Sequence, residues 1–203
     1  MDLVEETVAL REGELSVLRP RDAEALLDEE AFDRDEYLPY WAELWPSSLA
    51  LARMIAGRAL RGARTLELGC GLGLPSIAAA LAGGRVLSTD WSAEAVAMTA
   101  SNAERNGAQI ETLVCSWTDP APLVERAPWD LVLASDVLYE ARNADALLPL
   151  LPRLGREVWL ADPGRPPAAR FLELAAGEWT ITSRPIPDLA AGAVYRLRQP
   201  VAT

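Results

Sequence analysis

The sequence predicts a single α/β domain built on a mainly parallel sheet, and three observations carry that reading. The chain has 203 residues, which suits one substantial domain better than two. Half of its residues are hydrophobic, enough to form a full core. From Arg64 onward, short apolar segments alternate with helix-forming ones. Repeated β-α units imply a sheet covered on both faces with right-handed crossovers.

Ahead of that alternation, Thr7 to Leu18 alternates around Glu12-Gly13 and reads as a hairpin. Arg21 to Glu30 reads as a short acidic helix. Tyr37 to Pro46 is rich in aromatics and broken by proline. Ser47 or Ser48 is expected to cap a helix running to about Leu60, with Leu51, Met54 and Ile55 buried. Strands follow at Arg64–Leu68, Arg85–Thr89, Ile110–Cys115, Asp130–Ser135, Val158–Ala161, Glu178–Ser183 and Ala193–Arg198. Between them lie a helix with Pro75 near its first position and one running from Ser92 to Asn106-Gly107. A helix through Asp145–Leu154, interrupted by prolines, and another over Pro166–Ala176 complete the set.

Composition narrows the chemistry. There are two cysteines, Cys70 and Cys115, and no histidine. A disulfide framework and a histidine-containing metal site are excluded, and two thiols alone make a poor zinc site, so no metal is expected. Every imidazole-dependent mechanism goes with them. A formal charge of -11 argues against a broad nucleic-acid surface. It serves either solubility or the steering of a basic substrate. No apolar run approaches the ~18 residues of a membrane span, and the acidic start Met1 to Glu6 lacks a secretory signature. A cytoplasmic protein without a membrane partner is expected.

The segment Glu67-Leu-Gly-Cys-Gly-Leu-Gly73 follows a strand and precedes a helix. Glycine there tolerates positive φ and lets a ligand approach the backbone. Asp90 ends the next strand, where a carboxylate can accept hydrogen bonds from both ribose hydroxyls of an adenosine ligand. A dinucleotide site competes with this reading, but its GxGxxG spacing is absent. Glu67 would also set a carboxylate beside a pyrophosphate, whereas it suits a ligand carrying a sulfonium and an ammonium group. The residues therefore favour S-adenosylmethionine.

These segments resemble the seven-strand class I methyltransferases, over nearly the whole chain. Ser88-Thr-Asp90-Trp91 is similar to their ribose-holding strand end and Cys115-Ser-Trp117 to their adenine-contacting segment. The resemblance implies a Rossmann-like seven-stranded sheet of order 3-2-1-4-5-7-6, with its last two strands antiparallel and helices on both faces. It implies one domain over 1–203: an N-terminal hairpin and helix extension with a substrate-side segment (1–46), then a cofactor-binding core (47–203). Cofactor contacts are implied for Trp45, Glu67, Gly69, Cys70, Gly71, Gly73, Asp90, Trp91, Ser116, Trp117 and Ser135.

Two further segments narrow the resemblance. Tyr40-Trp-Ala-Glu-Leu-Trp-Pro46 and Ser135-Asp-Val-Leu-Tyr139 resemble the aromatic segment and the Asp-x-x-Tyr motif of the family 16 protein-lysine methyltransferases. Ala161-Asp-Pro-Gly-Arg165 resembles the branch acting on the electron-transfer-flavoprotein β-subunit. The short chain shows no targeting peptide, so a mitochondrial setting is not implied. Tyr40 and Trp41 are then candidate substrate contacts, and Asp136 and Tyr139 candidate catalytic residues. A lysine, with an ordinary pKa of ~10.4, must lose a proton before it can accept a methyl group. An apolar pocket favours that loss, and Asp136 can orient the amine or receive its proton through water.

Plain structural readings stand beside these. Trp41, Trp45 and Trp117 either wall a ligand site or pack on the sheet, and Trp91 follows Asp90 where a side chain can cover the adenine. Asp136 either acts on substrate or caps a turn. Asp162 and Arg165 either pair locally or face the substrate, while Cys70 and Cys115 read as packing residues. Beside protein-lysine transfer stand a small-molecule N-, O- or S-methyltransferase of the same fold and a non-catalytic S-adenosylmethionine-binding module.

Overall fold

The computed structural model describes residues 1–11, 13–23, 26, 39–187 and 189–200. The alternation around Gly13 produces two antiparallel strands, β1 (Leu3–Ala9) and β2 (Glu14–Pro20), which form a sheet of their own. Gly13, at φ 99°, supplies the left-handed backbone of the turn. The strand period sends Val8, Leu15 and Val17 into the core. Of the acidic helix expected over Arg21 to Glu30 only Arg21, Asp22, Ala23 and Leu26 are described, and Glu12, Tyr37 and Leu38 lie outside the described residues.

A 3-10 turn at Tyr40–Ala42 leads into α1 (Pro46–Ala56). Its N-cap is Trp45, not Ser47 or Ser48, and Pro46 stands in the first turn rather than breaking a helix. Proline fits there because its missing N–H would have no helical partner. The helix stops at Ala56, with Gly57 as C-cap, short of the expected Leu60. Leu51 and Ile55 are buried as expected, whereas Met54 is only partly so.

The main sheet contains β3 (Arg64–Leu68), β4 (Arg85–Asp90), β5 (Ile110–Val114), β6 (Leu131–Ser135), β7 (Glu157–Asp162), β8 (Thr180–Pro185) and β9 (Ala193–Arg198). Its order is β5-β4-β3-β6-β7-β9-β8, with β9 antiparallel to both β7 and β8. Counted from β3, this is the 3-2-1-4-5-7-6 order implied by the resemblance. Five helices connect the strands: α2 (Leu74–Leu81), α3 (Ala93–Arg105), α4 (Ala121–Glu125), α5 (Ala141–Leu154) and α6 (Pro166–Ala175). The short α4 has no counterpart in the sequence reading.

Side chains divide between the two faces with the strand period. Leu131 and Leu133 of β6 pack under α1, α2 and the hairpin, while Val132 and Ala134 pack toward α5 and α6. Helix α5 is not interrupted by its prolines: it runs unbroken through Pro149 and Pro152. Each proline removes one backbone donor, but Leu147, Leu150, Leu151 and Leu154 bury a continuous apolar stripe that offsets the loss.

Asn102 and Asn106, one turn apart on α3, cover the free edge of β2. Asn102 Oδ1 accepts from Leu18 N at 2.7 Å and its Nδ2 donates to Leu18 O at 3.0 Å. Asn106 makes the same pair with Ser16, at 2.9 and 2.8 Å. Each amide side chain thus stands in for a neighbouring strand, which blocks the edge from further pairing. Asn102 Nδ2 also donates to Leu72 O at 3.1 Å, linking the hairpin to the glycine turn.

Candidate active site

The carboxyl ends of β3, β4 and β6 open into a cleft roofed by the Tyr40–Trp45 segment. Ligands bind at this end of open α/β sheets. Tyr40, Trp41, Trp45, Gly69, Cys70, Gly71, Asp90, Trp91, Trp117, Ser135, Asp136 and Tyr139 line it together. Glu67, Gly73 and Ser116 do not.

Glu67 is fully buried beneath α2. Its Oε2 accepts from Ser76 N at 2.9 Å and from the Ser76 hydroxyl, which in turn accepts from Ser88 Oγ. The side chain therefore satisfies the amino end of α2 instead of facing the cleft. Burial, first of all, pushes its pKa from 4.5 to about 8 against the opposing Ser76 hydrogen bonds. Gly73 is required by packing: at φ 84°, a Cβ there would stand 2.7 Å from Thr99 Cγ2. Ser116 is exposed, with its hydroxyl 2.8 Å from that of Thr118.

The rest of the turn shapes the cleft floor. Gly69 and Gly71 take φ values of 68° and 53°, which other residues adopt only at a cost. Thr99 Oγ1 donates to Gly71 O at 2.9 Å and lies 3.3 Å from Cys70 Sγ, so α3 pins the loop from behind. Asp90 is only 5% exposed. Its Oδ2 accepts from Gly71 N at 3.1 Å and its Oδ1 from Ser92 N at 3.0 Å. Burial raises its pKa while these backbone donors hold it down. Each carboxylate oxygen can still accept a further bond. A polyol such as ribose fits that requirement, with Trp91 and Trp117 beside it.

Asp136 is the sharpest local feature. It adopts φ 56° although it is not glycine, a conformation that concentrates at functional sites. Its Oδ1 lies 2.5 Å from Arg165 Nη1. Its buried Oδ2 has no aligned hydrogen-bond partner, although the equally buried Ser47 hydroxyl is near enough to lower its pKa. Burial nonetheless dominates and raises that pKa, with Arg165 as the chief opposing influence. Asp162 Oδ1 accepts from Gly164 N and Arg165 N at 2.7 and 2.8 Å, fixing the loop that carries Arg165.

An aromatic wall stands at the mouth. Tyr40 and Tyr139 rings pack with centroids 5.0 Å apart, and Trp45 meets Tyr40 edge-on at 6.3 Å. Trp45 Nε1 donates to Tyr40 O at 2.7 Å, and Arg165 lies 5.6 Å from the Trp45 ring centroid. Trp41 divides its contacts between cleft and core. Sequence reasoning missed Ser47, Ser76, Thr99 and Val137, the last of which packs against Gly69. Val137 occupies an unspecified position of the Asp136–Tyr139 motif, and for Ser47, Ser76 and Thr99 the signal is a small polar residue on a buried helix face.

A family model for lysine methyltransferases matches residues 40–158. The chain belongs to that family. The match spans the aromatic segment, the glycine turn, Asp90 and Asp136. The chain is 36% identical over 139 residues to the electron transfer flavoprotein beta subunit lysine methyltransferase of Xenopus laevis, covering 63% of this chain and 53% of that protein. The corresponding Danio rerio protein is 37% identical over 134 residues, 63% of this chain and 51% of its own length. A histone-arginine methyltransferase of Xenopus laevis is 32% identical over 117 residues, 54% of this chain and 49% of that protein. The chain spans about half the length of these curated relatives. Among solved structures, a T. thermophilus 16S rRNA methyltransferase in complex with AdoMet and guanosine superposes with TM-score 0.71 at 16% identity, covering 98% of this chain and 51% of that one. Magnesium protoporphyrin IX methyltransferase from Synechocystis PCC 6803 with bound SAM gives 0.60 at 18%, covering 85% and 92%. At such identities the agreement concerns the fold.

No helix among the described residues is long and apolar enough to cross a membrane. The described residues also contain no group of three or more potential metal ligands.

Proposed function

We propose that this chain transfers a methyl group from S-adenosylmethionine to the side-chain amine of lysine in a protein substrate. One observation carries the reading: Asp136, held at φ 56° and paired with Arg165, lines a cleft walled by Tyr40, Trp45 and Tyr139. A non-glycine residue in that conformation concentrates at functional sites.

When bound, S-adenosylmethionine supplies a methyl group activated on a positively charged sulfur. Asp90 would hold the ribose hydroxyls, Trp91 and Trp117 would flank the base, and Gly69 to Gly71 would let the ligand lie against backbone. Glu67 acts at one remove, by fixing the amino end of α2 under the glycine turn. On the acceptor side, the ring faces of Tyr40, Trp45 and Tyr139 receive the lysine stem and its cation. The same apolar wall disfavours the ammonium form, and the nearby Arg165 charge adds to that pressure. The ammonium proton leaves to water, and the Asp136 carboxylate then accepts a hydrogen bond from the neutral amine and directs its lone pair toward the cofactor side. Alignment of this kind supplies on the order of 7–11 kcal/mol of a transfer barrier.

The test is methyl-labelled S-adenosylmethionine added to cell lysate with the purified chain. Label is expected in discrete protein bands, reduced about 100-fold or more by Asp136→Asn, with S-adenosylhomocysteine affinity unchanged. Label confined to small molecules would instead establish a small-molecule acceptor.

A further inference from the structure

Helix α1 carries a second, outward stripe. Pro46, Leu49, Ala50, Arg53, Met54 and Gly57 recur at helical spacing and lie away from the buried Ser47, Leu51, Ala52 and Ile55. Two adjoining depressions follow this stripe. The first lies between Pro46, Leu49 and Ala50 on one side and Ile186, Pro187 and Val194 on the other. The second continues past Gly57 to Arg11, Arg58 and Trp159. Arg53, Met54 and Arg184 border both, so they form one groove. It begins beside the cleft: Trp45 and Ser48 line the cleft, Pro46 and Leu49 the groove. At ~1.5 Å per helical residue it is roughly 18 Å long, the span of about five or six extended residues.

Its charge is one-sided. Arg11, Arg53, Arg58 and Arg184 line it, and among the described residues no aspartate or glutamate does, in a chain whose formal charge is -11. Arg53 Nε donates to Ala9 O at 3.0 Å, and Arg58 lies 4.6 Å from the Trp159 ring centroid and only 3.9 Å from Glu157. Arg11, Arg53 and Arg184 have no carboxylate partner among the described residues. Guanidinium forks with no carboxylate partner among the described residues, beside an apolar trough, match a segment that alternates carboxylates with apolar side chains. Nucleic acid fits less well. Stacking needs a free ring face, and Trp159 is occupied by Arg58 and by Arg196 at 5.5 Å.

We infer that this groove docks an acidic, partly apolar segment of the methyl-accepting protein, flanking the target lysine. The inference rests on the protein-lysine reading above, and it is tested without methyl transfer so that the two can fail separately. The probe is a short fluorescent peptide with one lysine followed by alternating leucines and glutamates, measured by anisotropy at low salt. A second peptide carries glutamine for glutamate, and a third probe is single-stranded oligouridylate. The acidic peptide is expected to bind about tenfold or more tighter than the glutamine peptide. The double variant Arg53→Glu/Arg184→Glu is expected to lose that preference while binding S-adenosylhomocysteine normally. Arg11→Glu, at an exposed position, gives a second reading if the double variant does not fold. Equal binding of the two peptides, wild-type binding by the variants, or tighter binding of oligouridylate would overturn the inference. If the groove binds the acidic peptide but no protein in lysate is methylated, the functional reading fails and the groove assignment stands.

Discussion

The Arg165 guanidinium lies 2.5 Å from Asp136 Oδ1 and 3.7 Å from Asp162 Oδ2, so one cation joins the carboxyl ends of β6 and β7. Arg165 therefore opposes the burial that raises the Asp136 pKa. Without it, that pKa rises further and the carboxylate is lost at a higher pH. Arg165→Ala is expected to move the acidic limb of the pH–rate profile upward. Arg165→Lys should restore part of the shift. An unmoved limb in Arg165→Ala would detach Asp136 from the chemistry. Removing one partner of a largely buried pair should also lower stability by roughly 3 kcal/mol.

Glu67 makes the stability of the protein depend on pH. Its folded pKa is about 8 against an ordinary 4.5, so within that window the folded chain holds a proton that the unfolded chain has released. Its contribution is full below the unfolded value, declines as pH rises, and is lost above the folded one. Glu67→Gln keeps an acceptor for Ser76 and is expected to flatten this decline. Denaturant unfolding across the window checks it; parallel curves for the two proteins would contradict the assignment. Glu67→Ala, which orphans the Ser76 donors, should cost about 1–3 kcal/mol.

Asp90 lines the cleft beside the glycine turn, its Oδ2 accepting from Gly71 N. Loss of two ribose hydrogen bonds to a charged acceptor corresponds to about 3 kcal/mol or more, and hence a 100-fold or greater fall in affinity. Calorimetric titration of Asp90→Ala with S-adenosylhomocysteine should show that fall, and wild-type affinity would remove Asp90 from the cofactor site.

Asn102 ties β2 to the glycine turn through Leu18 and Leu72. Asn102→Ala leaves three backbone groups without their partner and should destabilise the protein by about 2–4 kcal/mol. Amide exchange should rise at Leu18 in particular. Exchange unchanged there would mean that the hairpin is held by its apolar contacts alone.

The sheet was legible because each central strand is a short apolar run ending at a turn signal; its order was implied by the resemblance to the class I methyltransferases and not by those runs. Helix α5 was less so: Pro149 and Pro152 read locally as breaks, while the leucine stripe that keeps the helix intact is a tertiary effect. Among site residues, Asp90 and Asp136 could be placed because strand ends face the cleft. What Glu67 meets was not legible, because its neighbours do not reveal which face of β3 it occupies. It shares a face with Thr65, opposite Leu66 and Leu68, and its Oε2 meets Ser76. The packing role of Gly73 was hidden for a related reason: Thr99, which stands against it, is on the next helix.

The central claim is lysine as acceptor, and one measurement addresses it most directly. All 19 basic side chains of this chain are arginine, so it cannot methylate a lysine of its own. Protein labelled by the wild-type chain and methyl-labelled S-adenosylmethionine would be separated from it, hydrolysed in acid and resolved into amino acids. Label eluting as N-methylated lysine is the expected result. Label in methylated arginine, or none in any amino acid, would contradict the account.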